Sequence, residues 1–461
     1  MGIRSLIGDR AFYRRLFTVM LPILTQNLIT NFVNLLDNVM VGQVGTEPMS
    51  GVAIVNQLLF VFNLCVFGGL AGAGIFTAQF YGKNDNRGVA DTFRGKLYIA
   101  LGVLAVAFTV LIGFGEELIL SFIHEGQENL DMAATLTYGK DYLRVMLLQL
   151  VPFAVMQIYA STLRETGETL LPMKAGIVAV LVNLTGNYIL IFGKLGAPAL
   201  GVVGAAIATV LSQAVSAVWI LRFLTGKKTM LKLRFGNMIL EPGVILPCLG
   251  LGVSSFVMVS TESILSVSFT SSLFRYGGDV AVGAMTVLTS VNQVISMPLV
   301  GICQGGQPLM SYNYGAGKLD RVKEAFLCQF TVCVSYATVF WVLVQLFPSF
   351  FAGIFTNEQA LVDYTAWAMR IFLAGCFSVG FQNSCQQAFV ALGQAKISLF
   401  MACLRKLILL IPLIFILPNF FQNKAMAVFL AEPVSDILAA AAATTAFFLF
   451  FRRLMKTGKA E

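Results

Sequence analysis

The sequence consists of long, continuously apolar runs that are separated by short polar loops. A helix needs about 20 apolar residues to cross the hydrocarbon core of a membrane. The runs are too long and too uniformly apolar to be the alternating strands of a membrane β-barrel. The sequence therefore predicts twelve membrane helices, near residues 16–42, 51–80, 97–115, 142–163, 170–192, 202–224, 243–272, 280–310, 323–347, 366–391, 397–418 and 425–451.

The composition excludes a large soluble protein. Charged residues make up 12% and hydrophobic residues 57% of the 461 residues, whereas soluble proteins contain roughly 25% charged residues. A soluble body of this size would have too few charged side chains to cover its surface. The predicted fold class is therefore an all-α polytopic membrane protein.

The basic residues predict the orientation of the chain. Most of the 31 lysines and arginines lie in the N-terminal segment, at the C-terminus and in every second loop. Loops rich in lysine and arginine remain in the cytoplasm, so twelve crossings place both termini on the cytoplasmic side of the inner membrane. The net charge of +8 is explained by these loops, and we expect no nucleic-acid partner.

A basic loop at residues 225–241 separates two similar halves. Pro22 precedes Asp37 by 15 residues, and Pro247 precedes Glu262 by the same interval. In transporters built from parallel repeats, the ligand site lies between the repeats near the membrane midplane. The predicted organisation is an N-lobe of residues 1–224, a linker of residues 225–241 and a C-lobe of residues 242–461.

Asp37 and Glu262 are carboxylates inside apolar runs, where charge is most costly. Asp37 is in the first run and Glu262 is in the seventh. Because an ionisable residue in mid-membrane marks a functional site by default, both are predicted to couple ion binding to function. Pro22 cannot donate a backbone hydrogen bond, and we predict that it is a hinge in the first helix.

Neutral polar side chains give a second set of candidates. Asn183 and Asn187 are four residues apart in the fifth run, and Thr209 lies in the sixth. Amide and hydroxyl oxygens beside one carboxylate suit a hard cation, but amides in membrane helices also simply join neighbouring helices. A further set of amides either lines a substrate cleft or joins neighbouring helices, namely Gln304, Gln307, Gln382, Asn383 and Gln386. Asn34 and Met258 are also candidates for the lining of this cleft.

An enzyme is not expected. The only histidine, His124, lies in an acidic loop, and none of the eight cysteines forms a CxxC pair, so neither a zinc site nor a disulfide framework is predicted. We expect no cofactor apart from a coupling ion.

Several motifs together resemble the multidrug and toxic compound extrusion (MATE) family of secondary transporters. The resemblance extends from about residue 10 to 450, in the order and spacing expected of twelve helices. The matching segments are LLDNVMVGQVGTEPMSGVAI at 35–54, AQFYGKND at 78–85, VNLTGNYILIFG at 182–193, GVVGAAIATVLSQ at 201–213 and GICQGGQPLMSYNYGAGKLDRVKEAF at 301–326.

The resemblance implies two six-helix lobes around a central cleft and export of organic cations in exchange for H⁺ or Na⁺. It implies that Asp37 and Glu262 are the acids of the two lobes, that Pro22 is a bend, and that Asn183 and Thr209 belong to an N-lobe cation site. Asn187 stands where one branch of the family has aspartate, and Gln382, Asn383, Gln386 and Gln387 occupy the region where some relatives have another. The coupling ion therefore stays open between H⁺ and Na⁺, with Na⁺ placed at Asp37, Asn183, Asn187 and Thr209.

We expect an inner-membrane antiporter that functions as a monomer in contact with lipid and exports lipophilic, cationic small molecules. The alternative is a flippase for a lipid-linked oligosaccharide, since related superfamilies share the two-lobe architecture. Such flippases usually carry more basic residues in the cavity, and the candidate cavity residues here are acidic or neutral.

Overall fold

The structure is a computed structural model in which every regular element that is described is helical. This confirms the predicted all-α fold class. Side chains of 251–260 and of Glu262 and Ser263 are among those outside the described part of the chain. The described residues are 43–123, 132–224, 242–355 and 358–457, together with isolated positions between Arg14 and Val41.

Nine helices within these described ranges are long and apolar enough to cross a membrane, and there are ten if one bent pair forms a single span. They coincide with ten of the twelve predicted runs. Of the other two runs, the one near 16–42 lies mostly outside the described residues. The run near 243–272 is helical, although many of its side chains are not described.

The described connections between helices of the first half are short turns. The turn after α5 begins at Gly193, whose positive φ of 64° ends the helix in a left-handed conformation that glycine adopts without strain. The elements are α1 Thr46–Gly82, α2 Asn86–Ile123, α3 Met132–Met146 with a 3₁₀ turn at Leu147–Gln149, α4 Leu150–Glu165, α5 Leu170–Phe192 and α6 Gly201–Leu224.

The helices of the second half contain more interruptions. Gly278, with φ of 65°, divides the 74-residue α7 into two helices, and α10 and α11 are bent by 48° at the residues between them. The elements are α7 Pro242–Gly315, α8 Leu319–Leu346, α9 Pro348–Gly353, α10 Gln359–Phe372, α11 Cys376–Ala391, α12 Ala395–Cys403 with a π-helical segment at Leu404–Leu410, α13 Ile411–Ile416 with a 3₁₀ turn at Leu417–Asn419, and α14 Lys424–Thr457.

These helices form two compact units. The N-unit contains residues 21–77 and 86–252, and the C-unit contains residues 78–85 and 253–461 with the few described residues before Leu21. In lipid, close packing and hydrogen bonds hold helices together, because the lipid tails are as apolar as the side chains. Small residues allow this close packing in the N-unit, and phenylalanines provide it in the C-unit.

In the N-unit, α5 and α6 cross closely at small residues. A Cβ atom on Gly186 would lie 2.9 Å from Cβ of Ala208, and one on Gly204 would lie 2.5 Å from the carbonyl oxygen of Leu190. Larger residues would push the two helices apart. This crossing brings polar side chains of α5 and α6 into contact.

In the C-unit, phenylalanines fill the space between α8, α11 and α14. The rings of Phe326 and Phe447 lie 4.3 Å apart, and those of Phe389 and Phe447 lie 5.2 Å apart. Residues 78–85, which include the end of α1, also belong to this unit. There Gly82 lies against the carbonyl oxygen of Tyr312, and Gly315 lies against that of Gln79. The two glycines allow the end of α1 to lie directly against the end of α7.

Candidate functional site

The carboxylate of Asp37 is hydrogen-bonded to the amide of Asn187. Asp37 is helical and half-buried, and its Oδ1 accepts a hydrogen bond of 2.6 Å from Nδ2 of Asn187. Asn187 is 1% exposed and Asn183 is 5% exposed. The structure therefore brings together the acid and both amides that the sequence suggested for the N-lobe, all within the N-unit.

The described residues of the first run contact α5 at two places. Gln26 lies against Gly176, with Nε2 3.4 Å from where a glycine Cβ would be, and Asp37 lies against Asn187. Gln26 and Asp37 are eleven residues apart, and so are their partners Gly176 and Asn187. The first run and α5 therefore point in the same direction. Alternating crossings require this of the first and fifth membrane helices.

Asn183 joins this pair to Thr209 on α6, and its amide satisfies its neighbours only when the nitrogen faces Asp37. With the oxygen towards Asp37, Nδ2 donates to the Thr209 hydroxyl across 3.2 Å, and that hydroxyl donates to the Ala205 carbonyl across 3.0 Å. In the other orientation, the nitrogen donates to the two Asp37 oxygens across 2.8 and 3.2 Å, and the oxygen accepts from Thr209 across 3.2 Å.

Each orientation matches one charge state of Asp37. An ionised carboxylate only accepts hydrogen bonds, so it needs the amide nitrogen of Asn183 to face it. When the amide oxygen faces Asp37 instead, the separation of 2.8 Å is that of an O–H···O hydrogen bond. The orientation with the amide oxygen towards Asp37 therefore requires a proton on Asp37, or a cation between the oxygens.

Asn187 leaves one oxygen available. Its Oδ1 is buried and has no hydrogen-bond partner among the described residues. A buried polar atom without a partner is costly, and such atoms are often satisfied by an ion or a water molecule. Together with the Asp37 carboxylate, this oxygen gives the cluster the chemistry of a small cation site.

Tyr142 and Asn56 are neighbours of this cluster that sequence reasoning missed. Tyr142 is buried on α3, donates to Oδ1 of Asn56 on α1 across 3.2 Å, and lies close enough to Asp37 to interact with its charge. The available signal was a tyrosine and an asparagine within apolar runs. That signal was too common to single them out.

A model of the MatE family matches residues 22–189 and 254–416 of this chain. The chain belongs to the MatE family. The members of this family are transporters, so the protein is a MATE transporter and not an enzyme.

Relatives and solved structures agree with the MatE assignment. The chain is 22% identical over 427 residues to "Probable multidrug resistance protein NorM" of Thermotoga maritima, covering 92% of this chain and 89% of the relative. It is 23% identical over 406 residues to "Multidrug export protein MepA" of Staphylococcus saprophyticus, covering 87% and 86%. A crystal structure of MATE in the bent conformation has the same fold, with a TM-score of 0.88 and 19% identity over 99% of each chain.

The other predicted site residues of this MATE transporter differ in burial, and some of them are not described. Pro22 is helical and buried, Gln382 and Gln386 are buried on α11 beside the half-buried Asn383, and Gln307 is half-buried and Gln304 exposed on α7. Oε1 of Gln382 has no hydrogen-bond partner among the described residues. Asn34 and the side chains of Met258 and Glu262 lie outside the described part of the chain.

Sequence reasoning also missed a cluster of charges in the C-unit. Arg405 lies in the π-helical segment, and its Nε and Nη2 are both 2.7 Å from Oδ1 of Asp436, while Nη2 is 3.2 Å from Oε1 of Glu432. Glu432 and Asp436 are 5% and 4% exposed. The signal was present, because opposite charges in the two last apolar runs are costly unless they pair.

A further buried ion pair lies in the N-unit. Nζ of Lys96 on α2 contacts the carboxylate of Glu165 at the end of α4, and it donates to the hydroxyls of Ser161 and Thr162 across 3.0 and 3.1 Å. The Lys96 side chain is completely buried. Gly74 of α1 leaves the space that the Glu165 carboxylate occupies.

Proposed function

We propose that this MATE transporter is a secondary active antiporter of the inner membrane, with both termini in the cytoplasm. It exports lipophilic, cationic small molecules in exchange for H⁺ or Na⁺ and works as a monomer surrounded by lipid. The cluster formed by Asp37, Asn183, Asn187 and Thr209 is its N-lobe coupling site, and Glu262 is the acid of its C-lobe.

The observation that carries the proposal is the half-buried Asp37 carboxylate, which is held by neutral amides. The described contacts of Asp37 include no positively charged side chain. The carboxylate can therefore exchange one small cation for another. A lysine or arginine fixed beside Asp37 would compete with both H⁺ and Na⁺ for the carboxylate.

The relatives support drug export over the flippase alternative. Two are named as a multidrug resistance and a multidrug export protein. The alternating positive charge of the loops supports the cytoplasmic placement of both termini.

The bound cation drives the cycle only if it prefers one conformation, because a ligand shifts an equilibrium by no more than its differential affinity for the two states. Binding of H⁺ or Na⁺ neutralises Asp37 and reverses the orientation that the Asn183 amide prefers. Because the Asn183 amide contacts Thr209, the change at the first helix is transmitted to α6. A cationic substrate loses its attraction to the neutralised acid and is released.

The test is dye efflux in everted membrane vesicles, with a pH gradient and a Na⁺ gradient applied separately. Asp37→Asn keeps the size and polarity of the side chain but not its charge. We expect it to reduce coupled transport by about 10- to 100-fold, the range of typical coupling energies. Glu262→Gln tests the C-lobe acid in the same way.

The matched control is Glu116→Gln, which removes an exposed carboxylate that pairs with Lys140 at the end of α2. It should transport like the unaltered protein. Undiminished transport by both Asp37→Asn and Glu262→Gln would remove these acids from the mechanism. Envelope-glycan defects without any drug phenotype on deletion would favour the flippase.

A further inference from the structure

Two irregular helical segments and a helix that contains a proline meet at the charge cluster of the C-unit. Arg405 lies in the π-helical segment, and Pro433 lies inside α14. The break between α10 and α11 reaches the same place, since a Cβ on Gly375 would be 2.8 Å from Cα of Pro433. Interrupted helices in transporters and π-helical turns in general commonly mark functional sites.

The side chains at this junction form a connected ionic site. Glu432 and Asp436 are four residues apart on one face of α14, and both contact the guanidinium of Arg405. The hydroxyl of Ser435 donates to the backbone carbonyl of Arg405 across 2.8 Å. The π-helical segment and α14 are thus joined through both side chain and backbone.

We propose that Glu432 and Asp436, held by Arg405, form a proton-binding site of the C-unit. Two buried carboxylates that share one positive partner repel each other, and a proton on either of them relieves this repulsion. The proton comes from water and returns to water. A metal cation is disfavoured, because the guanidinium already lies within hydrogen-bond distance of both acids.

Other charged and titratable groups lie on the elements that pack around the pair. Lys406 is buried next to Arg405 on the π-helical segment, and the thiol of Cys376 on α11 is close enough to interact with Arg405, Glu432 and Asp436. Both groups stay in place in the carboxyl variants that test the proposal.

The test measures proton uptake by the purified full-length protein after a shift from alkaline to acidic pH, with infrared difference spectra that identify carboxyl groups. The background is Asp37→Asn with Glu262→Gln, so that the acids of the proposed function do not contribute. Glu432→Gln and Asp436→Asn should each lose one proton and the corresponding carboxyl band. Lys406→Met removes the neighbouring buried base and should keep both the proton and the carboxyl band.

Glu116→Gln is the control and should keep the proton of the pair. If a single amide variant does not fold, the double exchange Glu432→Asp with Asp436→Glu keeps both acids, and it should retain the proton with an altered midpoint. Proton uptake and carboxyl bands that stay the same in Glu432→Gln and Asp436→Asn would overturn the proposal, as would a double exchange that binds the proton exactly as the background does.

Proton binding at Glu432 and Asp436 does not depend on the proposed function. Only the use of this proton in transport rests on it. Proton uptake needs no substrate and no gradient. A chain that binds the proton at Glu432 and Asp436 but exports no dye would refute the proposed function alone. A chain that exports dye without binding this proton would refute the inference alone.

Discussion

The Asp37 cluster and the Arg405 cluster hold buried carboxylates in opposite ways. Asp37 is held by the neutral amides of Asn187 and Asn183. Glu432 and Asp436 are held by the guanidinium of Arg405. We propose that the carboxylate on amides exchanges H⁺ or Na⁺, whereas the carboxylate pair on a guanidinium binds a proton and disfavours a metal cation.

Substitutions in the two clusters should also differ in whether they affect stability or function. Removing one partner of a buried ion pair leaves an uncompensated charge, which costs about 3–5 kcal/mol. Removing an amide from a neutral cluster costs only about 1–3 kcal/mol. Substitutions at the Arg405 cluster should therefore first affect folding, and substitutions at the Asp37 cluster should first affect ion coupling.

Arg405→Met should have the largest effect on stability. It leaves two buried carboxylates without their shared partner, so we expect a loss near the upper end of the range, about 5 kcal/mol, measured by unfolding in detergent. The triple variant with Glu432→Gln and Asp436→Asn removes all three charges and should recover much of this loss. A triple variant as unstable as Arg405→Met would show that packing of the arginine side chain, not charge, stabilises the junction.

Lys96→Met should destabilise the protein less, by about 3 kcal/mol. It leaves one carboxylate, Glu165, which still lies close to Arg164 and Thr77. The double variant with Glu165→Gln should be more stable than Lys96→Met alone. Unfolding of the three proteins in one detergent checks this order, and equal stability of the single and double variants would contradict it.

Much of the fold was predictable from the sequence because a membrane constrains it so strongly. Apolar runs of spanning length had to be helices, and ten of the twelve coincide with described spans. The position of Gly278 between the seventh and eighth runs agrees with the break inside α7. These features depend on local composition, which a sequence displays directly.

The candidate sites were predictable only in part, because contacts between distant helices are not local. Asp37 and Asn187 are 150 positions apart, and the amide pattern alone did not distinguish an ion site from ordinary helix contacts. Arg405 and Lys406 were visible as charges in an apolar run. The acidic partners of Arg405 were missed, because Glu432 and Asp436 are 27 and 31 positions away from it in the sequence.

Asn187→Asp should sharpen the difference between the two clusters. It places a second carboxylate beside Asp37 without adding a positive charge, so the cluster should bind Na⁺ more tightly. We expect roughly a tenfold increase in apparent Na⁺ affinity, since about 1.4 kcal/mol corresponds to a factor of ten, measured by dye efflux at alkaline pH against a range of Na⁺ gradients. Asn187→Leu, with no oxygen, should change the affinity in the opposite direction, and an increase in both variants would exclude direct ligation by this position.

Thr209→Val should have the smallest effect and tests how the cluster senses its ion. In our proposal the hydroxyl accepts from Asn183 when Asp37 is neutralised and donates to it when Asp37 is ionised, across 3.2 Å in both cases. Both amide orientations therefore lose one hydrogen bond of about 1 kcal/mol. Because the two losses nearly cancel, ion affinity should change less than about threefold, while α6 loses its contact with the cluster and transport per bound ion falls. Thr209→Ser keeps the hydroxyl and should behave like the unaltered protein in both measurements. A large change in ion affinity with unchanged transport would mean that Thr209 is a direct ligand and does not carry the signal to α6.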